Sequence, residues 1–199
     1  PILPQIGAEL NLTSDQLGAI PASGQIGYAA ALLFLSPLGD TMSRKRLITM
    51  LSVLLVAASL LALSATSLMV LIAACFAIGL GANITQQLIP FAASLSTPET
   101  KGRVIGTLMT GLTVGILLSR TVSGFVGEEF GWRAVFAMSA ALAMVFGLLL
   151  YKSLPSNTPT SKMPYPKLVA SMVVLVKKHA ILRRSALTGA FWFASFNAL

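Results

Sequence analysis

The sequence predicts an all-α integral membrane protein. Of its 199 residues, 55% are hydrophobic and only 10% are charged, whereas a soluble domain carries about a quarter charged residues. The apolar residues form five long stretches, and a helix needs about 20 such residues to cross a bilayer. We therefore expect lipid, and not a soluble core, to cover them. The stretches are Gln16–Leu38, Leu47–Leu63, Leu68–Leu95, Val104–Val126 and Ala134–Leu150.

Local signals mark where several of these spans begin and end. Thr13, followed three residues later by Gln16, is typical of a capping box that opens the first span. The polar segment 64–67 predicts a tight turn between the second and third spans. Thr97 before Pro98 predicts the start of the fourth span, since proline is favoured at the first helical position.

Two further segments are interpreted from residue type alone. Pro1 and Pro4 indicate the exit from a helix that precedes the chain. Gly131 and Trp132 close the loop before the last span, where Trp132 is expected to anchor at the membrane interface.

Lysine and arginine residues collect at alternate span ends, and this pattern predicts an orientation. A bias of these residues to one side of the membrane marks the cytoplasmic side. The net charge of +8 is therefore explained by the orientation of the spans in the membrane, and no nucleic-acid partner is expected. The basic ends lie near residue 44, near residue 102 and across residues 152–185, while the opposite ends carry Glu9, Asp15, Glu128, Glu129 and Arg133.

The segment after the fifth span has a different composition. Residues 153–166 contain four prolines and are typical of a linker. Lys167–Lys178 mixes basic and apolar residues, which favours an amphipathic helix at the membrane surface. We therefore divide the chain into an incomplete helical bundle (1–152), a cytoplasmic linker with a surface helix (153–185) and the start of a second bundle (186–199).

The loop between the first two spans carries a recognisable pattern. In the segment 36–48, Leu38, Asp40, Arg44 and Lys45 match the pattern G-x-L-x-D-[RK]-x-G-[RK]-[RK]. This loop resembles the one between helices two and three of the major facilitator superfamily of transporters. The pattern's other positions differ here, with Ser36, Thr41 and Ser43 in place of Gly, a basic residue and Gly.

Other segments extend the resemblance over nearly the whole chain. Residues 131–136 resemble the G-W-R-x-x-F segment of the sugar and drug efflux (arabinose-efflux-permease-like) branch. Residues 78–82 resemble the fourth-helix Q-G-x-G-A segment, with Cys75 where an arginine is usual, and only Gly124 remains of the antiporters' fifth-helix pattern. The resemblance implies a major facilitator fold represented by transmembrane helices 2–6 and the start of helix 7. On this count, the first helix and the C-terminal half lie outside the chain.

The family resemblance implies a secondary transporter that moves a small organic solute, most simply by efflux and alternating access. The implied partners are that solute, the bilayer and the C-terminal half, in a multi-pass membrane protein of the bacterial inner membrane. The alternatives are a non-transporting sensor or assembly protein on the same scaffold, or an inactive truncated transporter. The spans contain no cluster of His, Cys and carboxylates, so no enzyme activity, cofactor or metal site is expected.

In the family, the loop pattern acts as a latch between two conformations. The resemblance implies this role for Asp40, Arg44 and Lys45, with the carboxylate held near a helix N-terminus where the dipole favours an anion. The alternative is a solvated turn whose cations serve only orientation.

Arg120 lies within the fourth predicted span. A charge there costs at least ~2.5–3.5 kcal/mol at the membrane centre, so we expect Arg120 to face a cavity or a partner; extension to the interface is the alternative. The same span carries small residues every four positions, which predicts close helix packing. They are Gly111, Gly115, Ser119, Ser123 and Gly127, with Gly124 beside them.

Central polar residues are the remaining candidates. Polar groups inside hydrocarbon need partners, so such residues either line a substrate path or form hydrogen bonds between helices. The candidates are Gln25, Tyr28, Asn83, Gln86, Gln87 and Thr113.

Overall fold

The computed structural model describes residues 2–156 and 165–198, and these residues fold into helices. Five helical segments of the described chain are long and apolar enough to cross a membrane, which confirms the predicted all-α membrane architecture. Ten helices are labelled in chain order, and a π-helical segment, Ala31–Leu35, follows α2. The helices are α1 (Leu3–Leu10), α2 (Ser14–Ala30), α3 (Leu38–Thr41), α4 (Arg44–Leu63), α5 (Leu68–Gly81), α6 (Ile84–Leu95), α7 (Pro98–Phe130), α8 (Trp132–Ser153), α9 (Tyr165–Lys178) and α10 (Ala180–Ala198).

The predicted helix ends are confirmed where local capping decides them. The backbone N–H of Gln16 donates to the Thr13 hydroxyl at 3.4 Å, and the Thr13 N–H donates to the Gln16 side chain at 2.9 Å. Helix α4 ends and α5 begins on either side of residues 64–67. Helix α7 begins at Pro98 behind the capping residue Thr97, and it is longer than the predicted stretch at both ends.

Two of the predicted spans are interrupted helices. The first consists of α2, the π-helical segment and α3, and it contains Pro21. The third span bends at Ala82 and Asn83, between α5 and α6. Pro90 lies further along the chain, inside α6. Hydropathy alone predicted one continuous stretch in each case.

The closest helix contact joins α2 to α5, where glycines bring the two backbones together. A Cβ atom on Gly27 would lie 2.1 Å from the Phe76 carbonyl oxygen, and one on Gly79 would lie 2.1 Å from the Gly24 carbonyl oxygen. Helix α4 packs against α5 and α8, while α7 packs less extensively against α8 and α6. The middle of α7 is exposed.

Helix α1 was not predicted; the two prolines near its start were interpreted as the exit from an earlier helix. It lies against one end of the bundle, where Ile6 packs into a buried cluster with Ile20, Leu71 and Trp132. Trp132 is only 2% exposed, so its predicted role as an interfacial anchor is wrong. The tryptophan is instead a core residue of this end.

The described residues from 165 onward form a second compact unit. Its helix α9 covers the predicted amphipathic segment, and α10 begins at Ala180, before the predicted boundary at residue 186. Most of the predicted proline-rich linker, residues 157–164, lies outside the described residues. The surface location of α9 and the three-part division of the chain remain predictions.

Candidate functional site

A hydrogen bond between Tyr28 and Gln86 joins the first and third spans. Gln86 Nε2 donates to Tyr28 Oη at 2.9 Å. At 1.5 Å per residue, Tyr28 lies about 21 Å from the start and about 20 Å from the end of its span, Ser14–Thr41, and so near the middle of that span. The bond is exposed, so both polar groups remain accessible on the side of the helices that they share.

A second polar network is buried beside the bend between α5 and α6. The Ser36 hydroxyl donates to Asn83 Oδ1 at 3.2 Å, and Gln87 Nε2 donates to the same oxygen at 3.3 Å. Asn83 is 0% and Gln87 3% exposed. For these two residues the structure favours hydrogen bonding within this buried network over direct contact with a solute.

The buried network also touches the loop that was predicted to act as a latch. A Cβ atom on Gly39 would lie 2.3 Å from Gln87 Oε1, so the amide of Gln87 lies directly over the backbone of α3. The next residue, Asp40, accepts a hydrogen bond from Arg44 Nη2 at 3.2 Å. The predicted Asp40–Arg44 pair is therefore present, and it adjoins the network at the helix bend.

Lys45, the third predicted latch residue, lies elsewhere. Its Nζ atom is 5.0 Å from the centre of the Tyr151 ring, at the end of α8. This contact places the start of α4 beside the end of α8, and so brings the basic residues 44–46 and Lys152 to one end of the bundle. We call it the basic end.

The candidates on α7 form no hydrogen bond with the Tyr28–Gln86 pair in the described chain. The Thr113 hydroxyl donates to the carbonyl of Met109 at 3.0 Å within its own helix. Arg120 is exposed, and within the described residues its guanidinium has no hydrogen bond or ion pair. Gln25 is also exposed. The roles of these three residues remain predictions.

Only one end of the predicted small-residue face on α7 is in close contact. A Cβ atom on Gly127 would lie 2.7 Å from Ile2 Cγ2, whereas one on Gly111 or Gly115 would meet nothing within 4 Å. Gly115 and Ser119 instead line a cavity of about 580 Å³ shared with α4, α6 and α8. Ser123 and Gly124 are half-buried, so a packing role for this face remains a prediction.

Sequence reasoning missed a polar clamp at the end opposite the basic end. Glu9 on α1 accepts a hydrogen bond from Trp132 Nε1 at 2.7 Å and forms an ion pair with Arg133. Arg133 also donates to the Ala65 carbonyl at 3.1 Å, and its guanidinium stacks over the Trp132 ring at 4.2 Å. The hydrogen bonds from Arg133 and then Trp132 lower the pKa of Glu9 below its usual value.

The sequence contained one signal for this clamp. Glu9 and Arg133 carry opposite charges and lie at span ends that were predicted to share one side of the membrane, but 124 positions separate them in the sequence. Only the fold of α1 across the bundle end brings them together.

The described residues contain no group of three His, Cys, Asp or Glu side chains that could hold a metal ion. The polar side chains at the centre are amides and hydroxyls, which bind by hydrogen bonds. The arrangement is therefore suited to binding a polar molecule.

These features define a class: a multi-pass helical membrane protein whose interrupted helices carry polar groups near the membrane centre. The sequence model of the Major Facilitator Superfamily matches residues 1–199. The chain belongs to this family, as the loop pattern predicted.

Two similar transporters support the assignment to this family. The chain is 39% identical to the uncharacterized transporter YgaY of Escherichia coli, over 100% of this chain and 50% of that protein. It is 31% identical to a probable transporter of Streptomyces coelicolor, over 100% of this chain and 46% of that protein. The chain thus spans about half the length of the curated relatives it matches.

Two further similarities are more distant. The purine ribonucleoside efflux pump NepI of Escherichia coli is 28% identical over 63% of this chain and 32% of that protein. A crystal structure of a peptide transporter POT in complex with alafosfalin superposes with a TM-score of 0.58 at 16% identity, covering 84% of this chain and 38% of that one. This structural likeness shows the shared fold alone.

Proposed function

We propose that the protein is a secondary transporter that exports a small polar organic solute by alternating access, and that Tyr28 and Gln86 lie on its solute path. The observation that carries the proposal is the exposed Tyr28–Gln86 hydrogen bond, which lies near the middle of the first span. A hydroxyl and an amide that already satisfy each other are stable in an apolar environment. Both groups can also exchange that bond for bonds to a solute.

The bent third span supports a moving element beside this pair. Interrupted helices place backbone and side-chain polar groups at the midplane, where transporters bind their substrates. Here Asn83 directly precedes α6 at the bend, and its side-chain oxygen accepts hydrogen bonds from Ser36 and Gln87. The buried network fixes one geometry of the bend while leaving the neighbouring Gln86 accessible.

The Asp40–Arg44 pair supplies the second conformational element of the proposal. In one state, Asp40 keeps the partner seen here, Arg44 at the start of α4; in the other, it would bind the facing half of the transporter. Because Gly39 lies against the side-chain amide of Gln87, a movement of this loop would also displace the residues at the helix bend. We propose that this contact links the latch to the site.

The rest of the transporter would complete the cavity. The chain spans about half of its curated relatives. Leu117 and Arg120 are exposed on the side of α7 that faces away from the cavity lined by Gly115 and Ser119. We propose that this side receives a helix from the remaining part of the protein. Arg120 would then face the cavity between the two parts.

The basic end carries Lys45 and Lys152 beside Tyr151. Lysine and arginine are enriched on the cytoplasmic side of membrane proteins, so this end supports an orientation with residues 44–46 in the cytoplasm. We propose the bacterial inner membrane as the location.

Among solutes, purine ribonucleosides are the first to test, because the relative NepI is named for their efflux.

The experiment compares export from cells that express the full-length protein with export from cells that carry an empty vector. Labelled adenosine serves as the first probe, and mass spectrometry of the medium searches for other exported solutes. Tyr28→Phe and Gln86→Leu should each lower export about fivefold, as expected for one lost hydrogen bond of about 1 kcal/mol. The double variant should lower it by less than the product of the two, because the residues share one interaction.

Thr110→Val is the matched control. Its hydroxyl bonds to the Gly106 carbonyl of its own helix at 2.9 Å, so its removal changes polarity without touching the Tyr28–Gln86 pair. Wild-type export in both Tyr28→Phe and Gln86→Leu, at wild-type expression, would remove these residues from the path. A medium that is unchanged by expression of the intact protein would contradict the export proposal.

A further inference from the structure

Two connected cavities lie between α4 and α8 at the basic end, outside the Tyr28–Gln86 site. The first, of about 320 Å³, is lined by residues that include Ser43, Lys45, Arg46, Thr49 and Tyr151. We call it the basic pocket. The second, of about 410 Å³, runs along α4 and α8 and shares Thr49 and Tyr151 with the first. We call it the α4–α8 groove.

The basic pocket carries positive charge that the described residues do not neutralise. The two ion pairs that they form are Asp40–Arg44 and Glu9–Arg133, so neither Lys45 nor Arg46 has a carboxylate partner there. Both cations also lie in the first turn of α4, where the helix dipole favours an anion and disfavours cations. An anion in the pocket would offset both effects.

The groove has the chemistry and length of an acyl chain site. Its lining is almost wholly apolar, with exposed Val53, Leu60, Met144 and Leu148 along its walls. From Thr49 to Leu60 it extends about 16 Å at 1.5 Å per residue, which is about half of a ~30 Å hydrocarbon core. A chain that entered at the basic end would therefore reach the middle of the membrane.

The two cavities meet at Tyr151, whose ring lies beside Lys45 Nζ. Tyrosine is enriched at the level of lipid headgroups, which is the depth where a phosphate joins its acyl chains. Basic pockets between transmembrane helices are typical sites for anionic headgroups. We propose that the basic pocket and the α4–α8 groove together bind one anionic phospholipid, with its phosphate at Lys45 and Arg46 and an acyl chain in the groove.

The test measures lipid retention by native mass spectrometry of the purified full-length protein. Phosphatidylglycerol and phosphatidylcholine of identical acyl chains are added in turn. Phosphatidylglycerol should be retained at least about tenfold better, and K45Q/R46Q should abolish that preference, since each basic residue near the membrane surface contributes about fivefold. The matched control is K101Q/R103Q, which removes the same charge from exposed positions on α7 and should keep the preference.

A second variant tests the groove separately from the charges. Ala57 is an exposed groove residue, and Ala57→Phe should fill the groove and reduce retention of both lipids without changing the melting temperature. Glycerol phosphate, which carries a phosphate group but no acyl chain, should not displace the bound lipid.

Three outcomes would overturn the proposal. Equal retention of the two lipids would show that the charge is not used, and equal loss in K101Q/R103Q would show a general surface effect. Displacement by glycerol phosphate would identify a site for a free anion in place of a lipid.

Discussion

Replacing Gly27 by alanine should force α2 and α5 apart. The added Cβ atom would lie 2.1 Å from the Phe76 carbonyl oxygen, whereas ordinary contact begins at 3.4 Å. The difference, 3.4 − 2.1 = 1.3 Å, must come from movement of a helix, because the opposing atom belongs to the backbone and has no rotamer to change. A gap of this order forfeits a quarter to half of the dispersion energy at the separated contacts.

The expected cost is about 2 kcal/mol, within the range of ~1–3 kcal/mol for an overpacked core. For a chain of this size, that corresponds to a melting temperature about 4–8 °C lower. Thermal unfolding of the detergent-solubilised protein, followed by circular dichroism, measures it. Because Tyr28 follows Gly27 directly, the hydrogen bond to Gln86 should weaken as well.

Gly18→Ala is the control for this prediction. Gly18 lies in the same helix, but an added Cβ atom there meets nothing within 4 Å, and alanine is the better helix former by about 1 kcal/mol. This variant should melt at or above the wild-type temperature. If Gly27→Ala melted as high as Gly18→Ala, the close contact between α2 and α5 could not be the main source of stability at this crossing.

Three further predictions concern charged residues. The pKa of Glu9 is lowered in the folded protein, so the stability that Glu9 contributes is complete above the ordinary pKa of about 4.3 and is lost as the pH falls through the lower folded pKa. Glu9→Gln should remove this acid-dependent loss of melting temperature. Glu128→Gln is the control and should retain it. Asp40→Asn should change the melting temperature by no more than Asp15→Asn, since a half-exposed pair contributes under about 1 kcal/mol, yet it should lower export severalfold if the loop is a latch. Arg120→Ala and Arg120→Lys should both impair export if the guanidinium makes a forked contact with an anion, and wild-type rates in both would contradict a site role.

Local chemistry explains why most helix ends could be predicted. Thr13 and Gln16 satisfy each other's backbone groups without any help from the rest of the chain. At the start of α7, the Thr97 N–H donates to the Thr100 hydroxyl at 3.2 Å, and Pro98 occupies the first helical position. Such signals depend on residues three or four positions apart, which the sequence displays directly. The loop pattern around Asp40 was recognised for the same reason.

Contacts between distant segments could not be predicted in this way. Trp132 has the residue type of an interfacial anchor, but α1 covers it, and Glu9 accepts its N–H. The glycines that matter most for packing between α2 and α5 are Gly27 and Gly79, each of which lies directly against the backbone of the other helix. The regular spacing on α7 gave a stronger sequence signal, although only Gly127 of that face is closely packed in the described chain.

The candidate site shows the same limit at the level of single residues. Sequence position placed Gln86 and Gln87 in one group, since both lie in the middle of an apolar span. On a helix, adjacent residues point about 100° apart, and here that rotation turns Gln87 into the buried network with Asn83 while Gln86 reaches Tyr28 at an exposed position. One of the two amides can therefore hold the bend of the third span in place while the other remains accessible to a solute. Because the two share a backbone, a change in the bend that moved Gln87 would also move Gln86.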